Sequence, residues 1–279
     1  MKGWVVAYNA RSNGLGNRLR ATLGARNLAA ARNRRFAVVW PTGPLFQPHF
    51  GDLFRDPLGV SLPLGVSQVL AALYPFRDEH LRDIDNAAGT RVWQIRTGGV
   101  LELPDDVRSW EEDLRELQPV ATIEDTIGRF HHEFGDAPYL GVQVRTHAVS
   151  HDKTREASPV AWFQRRLDEV REAAPDLPLF FSCDVPDVQD ALLKRYPGSF
   201  GLSDKGAYNS VRAVQSAVAD LYLLASSAYM LGPAHSSFVE LAVRMANYTV
   251  PFENSLKSAS LDLSRLTRAV DPLRPAKRS

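Results

Sequence analysis

A single cysteine, Cys183, stands in 279 residues, so the chain carries no internal disulfide framework and no multi-cysteine zinc site. From this scarcity a reducing, cytoplasmic setting is expected. Lysine is nearly as rare, with six residues at positions 2, 153, 194, 205, 257 and 277, and arginine supplies the rest of the 33 basic side chains. The planar guanidinium suits bidentate phosphate recognition, although genome base composition accounts for the bias equally well. No excess of one charge exists: 33 basic against 32 acidic residues leave a formal net charge of +1. That balance excludes a broad electrostatic surface for nucleic acid or anionic membrane. The polar residues Asn9, Arg11 and Asn13 interrupt the start before a signal peptide can grow, and no later run approaches the ~18 apolar residues of a membrane helix. The phosphate loop Gly-x-x-x-x-Gly-Lys-Ser/Thr is missing too. Gly14-Leu15-Gly16 lacks the third glycine of a dinucleotide fingerprint, because position 19 is leucine.

What is present is an ordinary globular balance, 44% hydrophobic and 23% charged, enough for a sizeable core. The length fits two domains. Trp4 to Tyr8 reads as a buried strand, a glycine-containing loop follows, and a helix from about Gly16 to Asn33 leads to a second strand from Phe36 to Trp40. This is a βαβ unit, the element of a parallel sheet. The proline-rich stretch 41–65 is expected to be irregular surface structure. Another strand is expected at Arg91 to Ile95, and two helices between Ser109 and Phe134, broken at Pro119. Gly135-Asp136-Ala137-Pro138 punctuates the chain, so the domains are set at 1–135 and 136–279. The second half alternates as βαβαβα, with strands at Tyr139–Arg145, Leu179–Cys183 and Tyr229–Leu231. Its helices are placed at Ser158-Pro159, after Pro186, from Ser210 to Ser226 and near Ser236. Beyond Asn254 the pattern fades, and 274–279 is expected to fray.

Four loops at strand ends carry polar residues that composition does not require, and ligands of doubly wound sheets sit at such loops. In Asn13-Gly14-Leu15-Gly16-Asn17 the glycines either admit a ligand to the backbone at a helix N-terminus or make a tight turn. In Val142-Gln143-Val144-Arg145-Thr146-His147 a strand delivers Arg145 to its carboxyl end. There the guanidinium either forks onto a diphosphate or pairs with a surface acid. Asp184, after Ser182 and Cys183, either accepts N–H bonds from a guanine edge or caps the next helix. In Gly232-Pro233-Ala234-His235-Ser236-Ser237 the serines can cap a helix and bind phosphate oxygens together. His235 is either an acid/base group or a structural hydrogen-bonding residue.

Taken in order, these segments resemble the superfamily of α1,6-fucosyltransferases and protein O-fucosyltransferases. Gly14 to Asn17 matches a Gly-Leu-Gly-Asn loop near the N-terminus. Gly141-Val142-Gln143-Val144-Arg145 resembles a Gly-Val-His-Val-Arg strand, and Ser182-Cys183-Asp184-Val185-Pro186 resembles a Thr-Asp-Asp-Pro strand end. Ala219-Asp220-Leu221 with the later His235-Ser236-Ser237 matches a Leu-Asp-Ile helix and a Phe-Ser-Ser turn. The resemblance implies an α/β, GT-B-like fold of two Rossmann-like domains facing across a cleft. The first would take the acceptor side, the second would bind GDP-fucose or a related nucleotide sugar, and the C-terminal tail would return to the first. It also implies an inverting, metal-independent transfer with no cofactor, in a soluble enzyme of bacterial type.

Carried over by residue, the resemblance puts Arg145 on the β-phosphate, Asp184 on guanine and Ser236 and Ser237 on phosphate or ribose. Gln143 and His235 join the donor site, and Gly14, Gly16 and Asn17 lie near the sugar. Gln143 stands where histidine is usual, and Thr146-His147-Ala148 replaces an Arg-Thr-Asp type sequence. Glu156 falls near the place of an acceptor-activating acid, and His147, His151 and Asp152 compete with it as bases. The acceptor is a glycan, peptide or small molecule, and no nucleic acid partner is expected. A nucleotide-sugar or glycan binding protein of the same fold that has lost transfer is the alternative.

Overall fold

The computed structural model describes residues 3–82, 84, 86–135, 137–147 and 152–278. The chain divides into two compact units, Met1–Val120 with Ala207–Val214, and Ala121–Gly206 with Gln215–Ser279. Asn209 belongs with the first because its backbone carbonyl accepts the Gln47 amide and its side chain donates to the Leu45 carbonyl.

The first unit runs β1 (Trp4–Tyr8), α1 (Leu15–Ala31), β2 (Arg35–Val39), β3 (Val60–Ser61), α2 (Leu64–Leu70), β4 (Phe76–Arg77), β5 (Val92–Arg96) and α3 (Trp110–Glu116). Its strands lie in the order β3-β2-β1-β5-β4, every neighbouring pair parallel. β1 reads as a near-continuous apolar run because a central parallel strand is covered on both faces, and Val5, Val6 and Ala7 are indeed buried. Asn9, fully buried at the end of β1, ties the strand to its neighbours by donating to Thr22 Oγ1 and the Val39 carbonyl, both at 3.1 Å.

The second unit runs α4 (Ala121–Glu133), β6 (Leu140–Val144), α5 (Asp152–Ala157), α6 (Val160–Ala173), β7 (Leu179–Cys183), α7 (Pro186–Arg195), β8 (Ser199–Gly201), α8 (Val211–Ser226), β9 (Tyr229–Leu231), α9 (Ser237–Met245) and β10 (Phe252–Glu253). Its sheet order is β10-β9-β6-β7-β8, again all parallel. Leu140, Val142, Val144, Phe163, Leu167 and Phe181 form the heart of its core. Gly141 is needed in β6, since a Cβ there would stand 2.9 Å from Ser227 Oγ. The two parallel α/β sheets expected from the sequence are therefore present. No helix among the described residues is long and apolar enough to cross a membrane.

Two expectations are corrected. The stretch 41–65 is not simply irregular surface: Phe46, Phe50, Leu53 and Phe54 are buried, and Trp40 meets Phe46 and Phe50 edge-on. Its aromatics bury more apolar surface inward than its prolines suggest. Nor does the stretch 274–278 fray. The Arg278 guanidinium donates to the carbonyls of Ala225, Ser227 and Thr267 and to Thr249 Oγ1, at 2.8 to 3.0 Å. Burial pulls its pKa down to about 10. A cation at the carboxyl end of α8 also meets the negative end of the helix dipole.

Candidate functional site at the carboxyl ends of the second sheet

From β6 the chain winds through β7 to β8 on one side, then crosses to β9 and β10 on the other. The reversal lies between β6 and β9, and crevices beyond the carboxyl ends of strands at such reversals are where open α/β sheets bind ligands. Three segments leave there: 145–147 after β6, 184–185 after β7 and 232–236 after β9.

The register pairs Val144 with Cys183, which sets Arg145 and Asp184 side by side at the rim. Asp184 Oδ1 accepts the Thr146 amide at 2.8 Å and the His147 amide at 3.2 Å, and Oδ2 accepts His147 at 3.3 Å. The carboxylate thus closes the turn that carries Arg145, and Arg145, Thr146 and His147 are all half-buried. It does not cap α7, whose N-cap residue is Val185 with no side-chain cap bond.

The β9–α9 loop is fixed from beneath. Ser158 Oγ accepts the Ala234 amide at 2.8 Å, and Thr154 Oγ1 donates to the His235 carbonyl at 3.4 Å. Gly232 makes the turn possible, because a Cβ would come within 2.6 Å of Val239. His235 is exposed and held at a φ of 60°, the left-handed region. Ser236 is buried and donates to Gln143 Oε1 at 3.4 Å, so the structure brings these two predicted residues together. Ser236 is the N-cap of α9 but makes no side-chain cap bond, and its hydroxyl is turned to Gln143 instead of the first-turn amides. Ser237 is half-buried in that first turn.

Of the candidate bases, His147 lies on the β6 turn, while Glu156 is exposed on α5. Asp152 pairs with Arg155, and His151 lies outside the described residues. Among the described residues no group of three or more His, Cys, Asp or Glu side chains is placed to hold a metal ion.

The sequence reading named Ser182 and Asp220 only as parts of two motifs and missed that they meet, together with Lys205, in one cluster. Lys205 Nζ donates to Asp220 Oδ2 at 2.7 Å and to the Cys183 carbonyl at 3.2 Å, and Ser182 Oγ donates to the same carboxylate oxygen at 2.8 Å. Burial pushes the Asp220 carboxyl up, against the pull of Lys205. Asp220 Oδ1 has no partner among the described residues. The available signal was that Asp220 is the one acid on the apolar helix α8. Cys183 is buried and burial pushes its thiol up, which fits a packed residue and not a nucleophile.

No family model matches the chain, and no curated protein matches its sequence. Solved structures do. The chain is similar to NodZ α-1,6-fucosyltransferase soaked with GDP-fucose, at 20% identity and a TM-score of 0.59, over 100% of this chain and 98% of that one. It is similar to NodZ from Bradyrhizobium at 18% identity and a TM-score of 0.61, over 95% and 97% of the two chains. It is also similar to POFUT1 in complex with GDP, at 12% identity and 0.55, over 91% and 98%. The chain has the fold of these fucosyltransferases. Within that fucosyltransferase fold, the loops after β6, β7 and β9 carry the motif residues read from the sequence.

The loop of the first unit is placed as clearly. Gly14 is the N-cap of α1 and Gly16 is buried in its first turn. Asn17 Oδ1 accepts Arg20 Nη2 at 2.8 Å, and Arg20 also reaches the Gly98 carbonyl beyond β5. This loop lies at the reversal of the first sheet, between β1 and β5. Sequence reasoning missed its anchor, Arg18, which is fully buried. Its guanidinium donates to the carbonyls of Asn13 at 2.7 Å and Pro41 at 2.9 Å, with longer bonds to Ala10 and Arg11. It also lies 4.0 Å from the centre of the Phe46 ring.

Proposed function

We propose that the chain is a glycosyltransferase that moves fucose or a closely related sugar from a GDP-sugar to a hydroxyl acceptor. The observation that carries this reading is the placing of Arg145 beside Asp184 at the carboxyl ends of β6 and β7, with β6 flanking the strand whose loop enters α9. As the bond from the sugar to the diphosphate breaks, charge grows on the departing oxygen, and a fixed guanidinium beside it stabilises that charge. The α9 amides and the Ser237 hydroxyl supply donors of the kind that hold phosphates at helix starts, while the Ser236 hydroxyl, its proton directed to Gln143, keeps lone pairs for a ribose hydroxyl. Gln143 orients Ser236. In this reading the Asp184 carboxylate, at the rim of the sheet, is the acceptor suited to the N–H edge of a guanine. Solved structures of the same fold in complex with GDP support that choice of base.

In this reading the acceptor oxygen attacks the anomeric carbon opposite the diphosphate. The new bond forms as the old one breaks, the centre inverts, and the acceptor proton passes to His147 or Glu156. Charge neutralisation falls to arginine and amides, so the reading predicts turnover that EDTA leaves unchanged. Calorimetric titration with GDP is the direct test. Arg145→Ala should weaken binding by about a hundredfold or more while the melting temperature holds, the scale of a lost charge-assisted fork. Equal affinity in the variant would overturn the assignment. Binding that depends on Arg145, with no GDP released from GDP-fucose in the presence of acceptors, would make the chain a nucleotide-sugar binder.

A further inference from the structure

A second cleft opens in the second unit, between α6 and the segment that follows β10. It has a volume of about 350 Å³ and is walled by Trp162, Arg165, Arg166 and Glu169 on one side and by Glu253 and Ser258 on the other. The helix residues fall at spacings of three, four and seven, which places them on one face of α6.

We propose that this cleft binds a neutral saccharide unit, at a site separate from the strand ends. Its charges cancel, two arginines against two glutamates. An anion would meet Glu169 and Glu253, and a cation would meet Arg165 and Arg166. A ligand rich in hydroxyls suits both, because each hydroxyl can donate to a carboxylate and accept from a guanidinium. Trp162 adds the apolar surface that the C–H face of a pyranose covers, while its ring packs edge-on against Phe163. The volume lies at the low end of small-molecule clefts, enough for one or two sugar residues of a longer chain.

The polar floor is already built. Glu253 is 6% exposed and accepts Arg166 Nε at 3.0 and 3.1 Å and the Tyr229 hydroxyl at 2.6 Å. Arg166 also reaches Glu169 at 2.8 Å. This network explains why Arg166 and Glu253 stand there as structural groups. It leaves Arg165 and the polar edge of Trp162 unexplained: the indole ring packs against the core of the second unit, but neither its N–H nor the Arg165 guanidinium has a hydrogen-bond partner among the described residues. The cleft is also tied to the β9–α9 loop. Ser255, between Glu253 and Ser258, shares a 2.9 Å hydrogen bond with Ser158, the residue that accepts the Ala234 amide.

The proposal is argued from the walls of the cleft and stands whether or not the strand ends transfer a sugar. Its test is saturation-transfer NMR and calorimetry with cellobiose, lactose, mannobiose and diacetylchitobiose at millimolar concentration. At least one should bind, and Arg165→Ala and Trp162→Leu should each weaken it about tenfold or more. Arg165 is exposed, so its variant carries the test even if loss of the Trp162 ring disturbs the core. GDP affinity, read separately, should not change in either variant, so failure of one site is distinguishable from failure of the other. Three outcomes would overturn the proposal: no binding by any of the four sugars, binding that survives both substitutions, or displacement of the sugar by inorganic phosphate.

Discussion

In the first sheet the turn after β1 is held by Arg18, whose donors are taken up by main-chain carbonyls of the two neighbouring loops. In the second sheet the matching turn after β6 also carries an arginine, but the amides of that turn are held by Asp184, from the next strand. Both turns leave the central strand of a five-stranded parallel sheet, so position in the sheet alone does not separate these roles. Burial does. A guanidinium at 0% exposure among carbonyls is part of the scaffold, whereas Arg145 is half-buried on a turn that another group already closes. The comparison teaches that equivalent turns can be held in two ways, by a buried cation that gathers carbonyls or by an acid from the next strand that gathers amides.

That contrast can be broken. Arg18→Ala should have the largest effect, a loss of about 4 kcal/mol, because it leaves both a cavity and unpaired carbonyls. Thermal unfolding should show it as a fall of roughly 10 °C. A variant that stays as stable as the parent but loses GDP affinity would place Arg18 with the ligand and erase the distinction. Asp184→Asn comes next, at about 2 kcal/mol of stability, since a charged acceptor of two amides is replaced by one neutral oxygen. Hydrogen exchange at the Thr146 and His147 amides should quicken in that variant, and unchanged protection there would show that Asp184 does not hold the turn. Arg145→Lys should have the smallest effect. It keeps the charge and loses the fork, so GDP binding should weaken about tenfold with the melting temperature unchanged. A fall in stability instead would make Arg145 a scaffold residue like Arg18.

Much of the framework was legible because its strands are long enough to show a pattern. β1, β6 and β7 each run for five residues, and every residue of β6 and β7 is buried. β3, β4, β8 and β10 have two or three residues, too few to display alternation, and their existence depends on pairing with longer neighbours. At the candidate site, Arg145, Asp184 and Ser236 were found from their places at strand ends. Their partners were not, because the contact of Asp184 with the 146–147 amides and that of Ser236 with Gln143 join residues far apart in sequence. Arg18 and Lys205 were missed for a different reason. Basic side chains are seldom inside, so nothing local marks Arg18, which is fully buried, or Lys205, whose side chain is 17% exposed.

The Arg278 anchor has a practical corollary for anyone handling the protein. A recombinant version stopped before this residue, or digested back by a carboxypeptidase, would strip the counterion from the end of α8 and leave the Ala225 and Ser227 carbonyls bare. An affinity tag joined directly after this end would sit against that clasp, so a spacer is the prudent choice there.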